Sequence, residues 1–283
     1  MVPRLAALAL ATVIIAGQAH AQAPRRVDEL MQKSGMNSLL VQLEKAILTE
    51  MERAAETTVD LGIGRPLTAD DRTRLAATVS SSFNAARMKQ EVKASLQKSM
   101  TAPDENVVLA WLDTDFGRRI VATDTSYHAA TMSMPQQQYY DDVMRARKGI
   151  TQDRADLLKR LGSALSEGEA NARMRTNMTA SVFFGVMSAM DMSVNEIELA
   201  KKTLEARRGV MAHAARQGAV ARFAHQYQAL DDSQLEKLVT FAESPAGLRY
   251  YDAMEAALEG SITRASLDFG RQYAEFDKAR KKK

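Results

Sequence analysis

Four histidines, sixteen methionines and no cysteine set the chemistry open to this chain of 283 residues. Without a thiol there is no disulfide, thiolate metal site, iron–sulfur cluster or cysteine nucleophile. His128 lies four residues after Asp124, one helical turn, so an Asp–His contact is sterically open there. No serine nucleophile motif and no second histidine is nearby, and His213 and His225 stand twelve apart, which is not a ligand spacing on one helix face. Each reads as an ordinary surface or half-buried histidine. Met132-Ser-Met134 and Met190-Asp-Met192, with Met187 just before, are pairs of soft thioethers that could hold copper(I). The commoner use of methionine is to fill irregular gaps between helices, and Met174, Met178 and Met187 run among Val182, Phe183, Phe184 and Val186. Gly62-Ile-Gly64 has no following Gly-Lys-Ser or Gly-Lys-Thr and no preceding strand, so it is no phosphate loop. The pairs Asp70/Asp71, Asp141/Asp142 and Asp231/Asp232 read as helix-start acids favoured by the dipole rather than as catalytic dyads. No residue is therefore assigned to catalysis, to a cofactor or to a metal, and the expectation is a protein that is not an enzyme.

The elements that must position these residues are helices. Met36, Leu39, Leu40, Leu43, Ile47, Met51 and Ala54 keep the three-and-four spacing of one apolar face, as do Leu258, Ile262, Ala265, Phe269, Tyr273 and Phe276. No stretch alternates apolar and polar residues between hairpin turns, so the fold class is all-α with no sheet. Thr68 with Asp71, Ser193 with Glu196, Thr101 before Pro103, and Ser244 before Pro245 mark helix starts. Gly35, Gly149 and Gly162 sit where helices should stop.

Charge and targeting signals bound the setting. Lys plus Arg number 38 and Asp plus Glu 35, a formal net charge of +3, too small an excess for a dedicated nucleic-acid binder. Lys278, Arg280, Lys281, Lys282 and Lys283 concentrate basic charge at the end, which reads as a solvated helix terminus. Met1-Val-Pro-Arg4, the apolar run Leu5 to Gly17, and the small-x-small sites Ala19-His20-Ala21 and Ala21-Gln22-Ala23 compose a cleavable secretory signal over residues 1–21. The apolar run is too short to span a bilayer and no later one is long enough. The expected location is the periplasm or the exterior.

The chain also repeats a pattern. Met100 to Arg119 aligns with Leu230 to Arg249, pairing Trp111 with Phe241, Gly117 with Gly247 and Arg119 with Arg249. Leu30 to Gly35 aligns with Leu157 to Gly162. Two tandem related halves are expected, residues 24–148 and 150–283, packed together because the connection Arg147-Lys-Gly-Ile-Thr151 is short.

Leu230-Asp-Asp-Ser-Gln-Leu235 followed by Phe241-Ala-Glu-Ser-Pro-Ala-Gly247 resembles the bacterial family called domain of unknown function 2059, with its aromatic-x-x-Ser-x-x-Gly turn between helices. Trp111, Thr114 and Gly117 match the same turn in part, with Asp115 in place of the proline. The resemblance implies an all-helical exported protein and no activity. Together these features describe an exported, non-catalytic binding or interaction protein whose partner is an envelope protein or surface. Its rivals are a small-molecule or copper carrier with a pocket between the halves, and an enzyme whose residues converge only in space. An apolar pocket favours the carrier, polar residues with shifted pKa values in a cleft favour the enzyme, and a solid interior with an exposed apolar strip favours the interaction protein.

Overall fold

A computed structural model describes residues 25–60, 66–132, 134–189 and 194–281; the signal segment, Gly62 to Gly64, Met190, Met192 and the Ser193 cap lie outside the described residues. The chain is all-α, with no strand among the described residues. Its helices are α1 (Val27–Lys33), α2 (Met36–Asp60), α3 (Ala69–Ser82), α4 (Ala85–Ser99), α5 (Ala102–Leu112) and α6 (Asp115–Met132). They continue as α7 (Gln136–Lys148), α8 (Gln152–Ala164), α9 (Glu167–Ala189), α10 (Val194–Gln226), α11 (Asp232–Ala242) and α12 (Pro245–Lys281). None of them is long and apolar enough to cross a membrane.

Local sequence sets most of these boundaries. Thr68 and Asp71 close a reciprocal capping box at α3, and Asp231 with Gln234 does the same at α11. Thr101 caps α5 ahead of Pro103. Gly35, at φ 77°, turns the chain from α1 into α2 as expected. Gly162 does not stop a helix: it lies inside α8, which runs on to Ala164, and the positive φ falls on Ser166 at 46°. The alignment of Gly35 with Gly162 is corrected accordingly, because the turn is made where the chain must reverse, four residues later. Asp141 and Asp142 are not helix-start acids either. They sit within α7, where Asp141 accepts a hydrogen bond from Gln137 and Asp142 pairs with Arg145.

The turns at Trp111–Gly117 and Phe241–Gly247 share one construction. Thr114 Oγ1 donates to the Trp111 carbonyl at 2.7 Å and accepts the Gly117 N–H at 2.9 Å. Ser244 Oγ donates to the Phe241 carbonyl at 2.7 Å and accepts the Gly247 N–H at 3.0 Å. The hydroxyl thus satisfies a last-turn carbonyl of one helix and a first-turn N–H of the next. A Cβ on Gly117 would lie 2.2 Å from the Trp111 carbonyl oxygen, and one on Gly247 would lie 2.0 Å from that of Phe241. Each glycine therefore makes room for the end of the preceding helix. The rings of Trp111 and Phe241 stack, centroids 3.9 Å apart and planes within 6°. Phe241 is buried; Trp111, expected to match it, is only half-buried.

Two apolar clusters form the interior. In the first, Leu30, Leu75, Phe83, Val92 and Val108 of α1 to α5 are joined by Ile262, Ala265, Phe269 and Phe276 of α12. In the second, Leu158, Leu161, Phe223, Leu235 and Leu238 of α8, α10 and α11 receive Ile120 of α6. Trp111 and Tyr251 touch both. Each cluster is closed by a helix that is distant in sequence.

Polar anchors reinforce this closure. Glu105, with no exposed surface, accepts Arg25 Nε at 2.7 Å and the Arg26 N–H at 2.8 Å, and Asp104 accepts Arg249 Nε at 3.0 Å. Within the basic end of α12, Arg280 is packed rather than solvated, which corrects the expectation at that residue; Lys278 is exposed, and Lys282 and Lys283 lie outside the described residues. Arg280 donates to the Pro66 carbonyl at 3.2 Å and stands 3.6 Å from the buried carboxylate of Asp71, while Lys278 reaches the Ala189 carbonyl. Removing Lys278 to Lys283 is therefore expected to lower stability by about 1–3 kcal/mol, the scale of a hydrogen bond to a charged group. Urea unfolding of the truncated chain checks this; an unchanged midpoint would return the tail to solvent.

Candidate functional site

A cavity of about 440 Å³ opens where α6 and α7 face α9, α10 and α12. Apolar walls come from Leu161, Leu165, Phe223, Leu238, Met254 and Leu258, and polar groups from Asp124, Tyr127, His128, Tyr139, Glu167, Arg222, Gln226, Tyr227 and Glu255. Exposed Arg175 belongs to its rim. This size lies within the about 300–1,000 Å³ usual for small-molecule sites.

Asp124 sits mid-helix on α6, one turn before the Tyr127-His128 pair, so all three point the same way. Its Oδ1 accepts Gln226 Nε2 at 2.8 Å and the Tyr227 hydroxyl at 2.9 Å, both from the end of α10. Among the described residues no donor reaches Oδ2 and no cation pairs with this carboxylate. Burial, only partly offset by the two neutral donors, pushes the Asp124 carboxyl up to about 6. The other two acids of the lining are paired: Glu167 with Arg222 at 2.7 Å, and Glu255 with Arg173. Burial raises Glu255 as well, against the pull of that arginine.

The aromatic groups are held as a set. The Tyr127 and Tyr139 hydroxyls meet at 3.1 Å, tying α6 to α7. Burial raises Tyr127 and Tyr227 above the ordinary phenol range, so both stay neutral at physiological pH. His128 is pushed down by burial and is held neutral. The His225 ring stands edge-on to Tyr127 at 5.5 Å, and its buried Nδ1 has no partner.

The raised pKa of Asp124 has a stability signature. Between about 3.8 and 6 the folded state keeps a proton that the unfolded chain has released, so this group makes stability fall as pH rises through that window. Asp124→Asn removes the buried charge while an amide oxygen still accepts from Gln226 and Tyr227. The variant is expected to be more stable than the parent at pH 8, by up to about 3 kcal/mol, and equal to it near pH 4. Denaturant midpoints at the two pH values measure this, and a variant less stable at pH 8 would refute it.

Of the residues whose chemistry the sequence suggested, the fold brings Asp124 and His128 to one cavity, yet they do not bond to each other. The one-turn spacing is present, but Asp124 turns to α10 instead. His213 is exposed and far from the site. Met187 is buried and Met174 lines the cavity, in keeping with packing. Among the described residues no group of three or more His, Asp or Glu is placed to hold a metal ion. The residues that the sequence did not single out are Gln226, Tyr227, Glu167 and Arg222; their only signal was their type, and they lie some 40 to 100 positions from Asp124.

Fold and cavity together define an all-helical protein with a half-enclosed, mixed polar and apolar binding cavity. Residues 86–145, across α4 to α7, match a family described as an uncharacterized protein conserved in bacteria (DUF2059). The match covers the first of the two turns, at Trp111 to Gly117; the second, at Phe241 to Gly247, where the fuller resemblance was expected, lies outside it. It also contains Asp124, Tyr127, His128 and Tyr139. Neither curated proteins nor solved structures include a match to the chain.

Proposed function

We propose that this is an exported, non-catalytic carrier of the bacterial envelope that binds a small molecule between α6, α9, α10 and α12. The observation that carries this reading is the cavity itself, with its apolar walls and a few convergent polar groups. The enzyme reading is weaker. Among the described residues no nucleophile of the cavity bonds to a base, and neither His128 nor His225 is oriented by a carboxylate. The copper reading is weaker still: the methionines of the lining, Met36, Met174 and Met254, are not the Met-x-Met pairs that suggested copper, and they stand among apolar packing residues. Export rests on the residue 1–21 signal. Cleavage after Ala21 or Ala23 would leave Arg25, the anchor of buried Glu105, within a few residues of the new terminus.

Native mass spectrometry of protein released from the periplasm tests both halves of this reading. The expected result is a processed N-terminus and a non-covalent adduct that is lost in Leu165→Trp, which fills the cavity. Recovery only from the cytoplasm, with Met1 intact, would overturn export. An adduct unaffected by Leu165→Trp would overturn the site. A second reading, docking of an envelope protein, draws on the exposure of Leu199 and Val210 on α10, 68% and 73%. It predicts that lysine at both positions abolishes capture of an envelope partner while leaving small-molecule binding intact.

A further inference from the structure

The carrier reading says nothing of the ligand's charge, but the cavity's own bookkeeping does. We propose, resting on that reading, that the cavity takes an organic ammonium ion with an apolar body, and that Asp124 is its counterion. Three carboxylates line the space. Glu167 and Glu255 each have an arginine, whereas Asp124 has two neutral donors on one oxygen and none on the other. A half-buried carboxylate without a cation is costly to ionise, and the shift of Asp124 toward about 6 is the mark of that cost. An ammonium N–H donated to Oδ2 would relieve it with a charge-assisted hydrogen bond.

The surrounding groups suit the same guest. The rings of Tyr127, Tyr139, Tyr227 and Tyr251 line the cavity with Asp124, and aromatic faces attract a desolvated cation. Burial keeps the phenols of Tyr127, Tyr227 and Tyr251 neutral and pushes His128 the same way, so none of them opposes a positive ligand. Arg222 is occupied by Glu167 at 2.7 Å and leans on the Ala215 carbonyl. Leu165, Phe223 and Leu258 then cover the apolar body. An anionic guest finds Arg222 already paired with Glu167 and Arg175 out at the rim, and it meets Asp124 head-on.

Isothermal titration with tryptamine, tryptophol and indole-3-acetate tests this, because the three share a ring and differ in charge. The full chain at pH 7.5 is expected to bind tryptamine at least tenfold more tightly than tryptophol, and indole-3-acetate least. Asp124→Asn is expected to bring tryptamine down to the tryptophol level and to leave tryptophol unchanged. The titratable and charged groups that share the cavity with Asp124 are Tyr127 and His128 on α6, Tyr139 on α7, Glu167 and Arg175 on α9, Arg222 and Tyr227 at the end of α10, and Tyr251 and Glu255 on α12. A pH series in both chains therefore assigns the titration. Parent affinity for tryptamine should fall about tenfold from pH 7.5 to 5, as Asp124 takes up its proton, and Asp124→Asn should show no such fall. If Asp124→Asn does not fold, the parent's pH series still decides. Equal or tighter binding of tryptophol or indole-3-acetate would overturn the cation preference and leave the carrier reading standing. Binding of none of the three, with no adduct on the native protein, would overturn both.

Discussion

Gly270→Leu is expected to destabilise the protein by at least about 3 kcal/mol, at or above the upper end of the usual overpacking cost. At the crossing of α9 and α12 the two backbones meet glycine to glycine. A Cβ on Gly270 would lie 2.1 Å from the Val182 carbonyl oxygen and 3.0 Å from Gly185 Cα. A Cβ on Gly185 would lie 2.4 Å from the Leu267 carbonyl oxygen. The obstacle on both sides is backbone, which cannot rotate away as a side chain could, so the helices would have to separate along their crossing. The same reasoning makes Gly185→Leu equally severe. Gly209 supplies the contrast. It lies in α10 with nothing within 4 Å of a built Cβ. Gly209→Ala should stabilise by about 0.5–1 kcal/mol through helix propensity alone. Guanidinium unfolding of the three variants measures the difference, and a Gly270→Leu midpoint close to the parent's would mean that the crossing is looser than described.

Phe241→Ala is expected to cost about 3–5 kcal/mol, the range for removing a buried phenylalanine. Its ring is 8% exposed and lies flat on Trp111, with Tyr251 edge-on at 6.2 Å. Trp111→Ala should cost less, because the indole is half-buried and its outer edge already meets water. The two substitutions should not add, and the double variant should recover about 0.5–1.5 kcal/mol, the coupling typical of an aromatic pair. Strict additivity in that cycle would show that the rings merely share a location.

Sequence and structure agree where the determining interactions are local. Helix periodicity, the Thr68–Asp71 box, the Thr101 and Ser244 caps and the Gly35 turn depend on residues within four positions of one another, and all can be read directly. The paired turns at Trp111–Gly117 and Phe241–Gly247 are legible for the same reason. What escapes is what depends on distance. Gly185 and Gly270 look like ordinary helix-interior glycines until α9 is laid across α12. The spacing of Asp124 and His128 suggested a bond that the fold does not make, because Gln226 and Tyr227 offer Asp124 better donors from another helix. Arg280 reads as part of a solvated basic run until Asp71 and Pro66 arrive beneath it. The candidate site is of this second kind, since it draws residues from helices spread along the chain from α2 to α12.

The closing of the first apolar cluster by α12 sets an order of events during synthesis. Leu75, Phe83 and Val92 are made early, but Phe269 and Phe276, which cover them, leave the ribosome roughly 180 residues later. At about 5–20 residues per second, the growing chain carries that apolar surface uncovered for on the order of ten seconds or more. A nascent chain that stalls before α12 is made would display the same surface to holding factors and proteases.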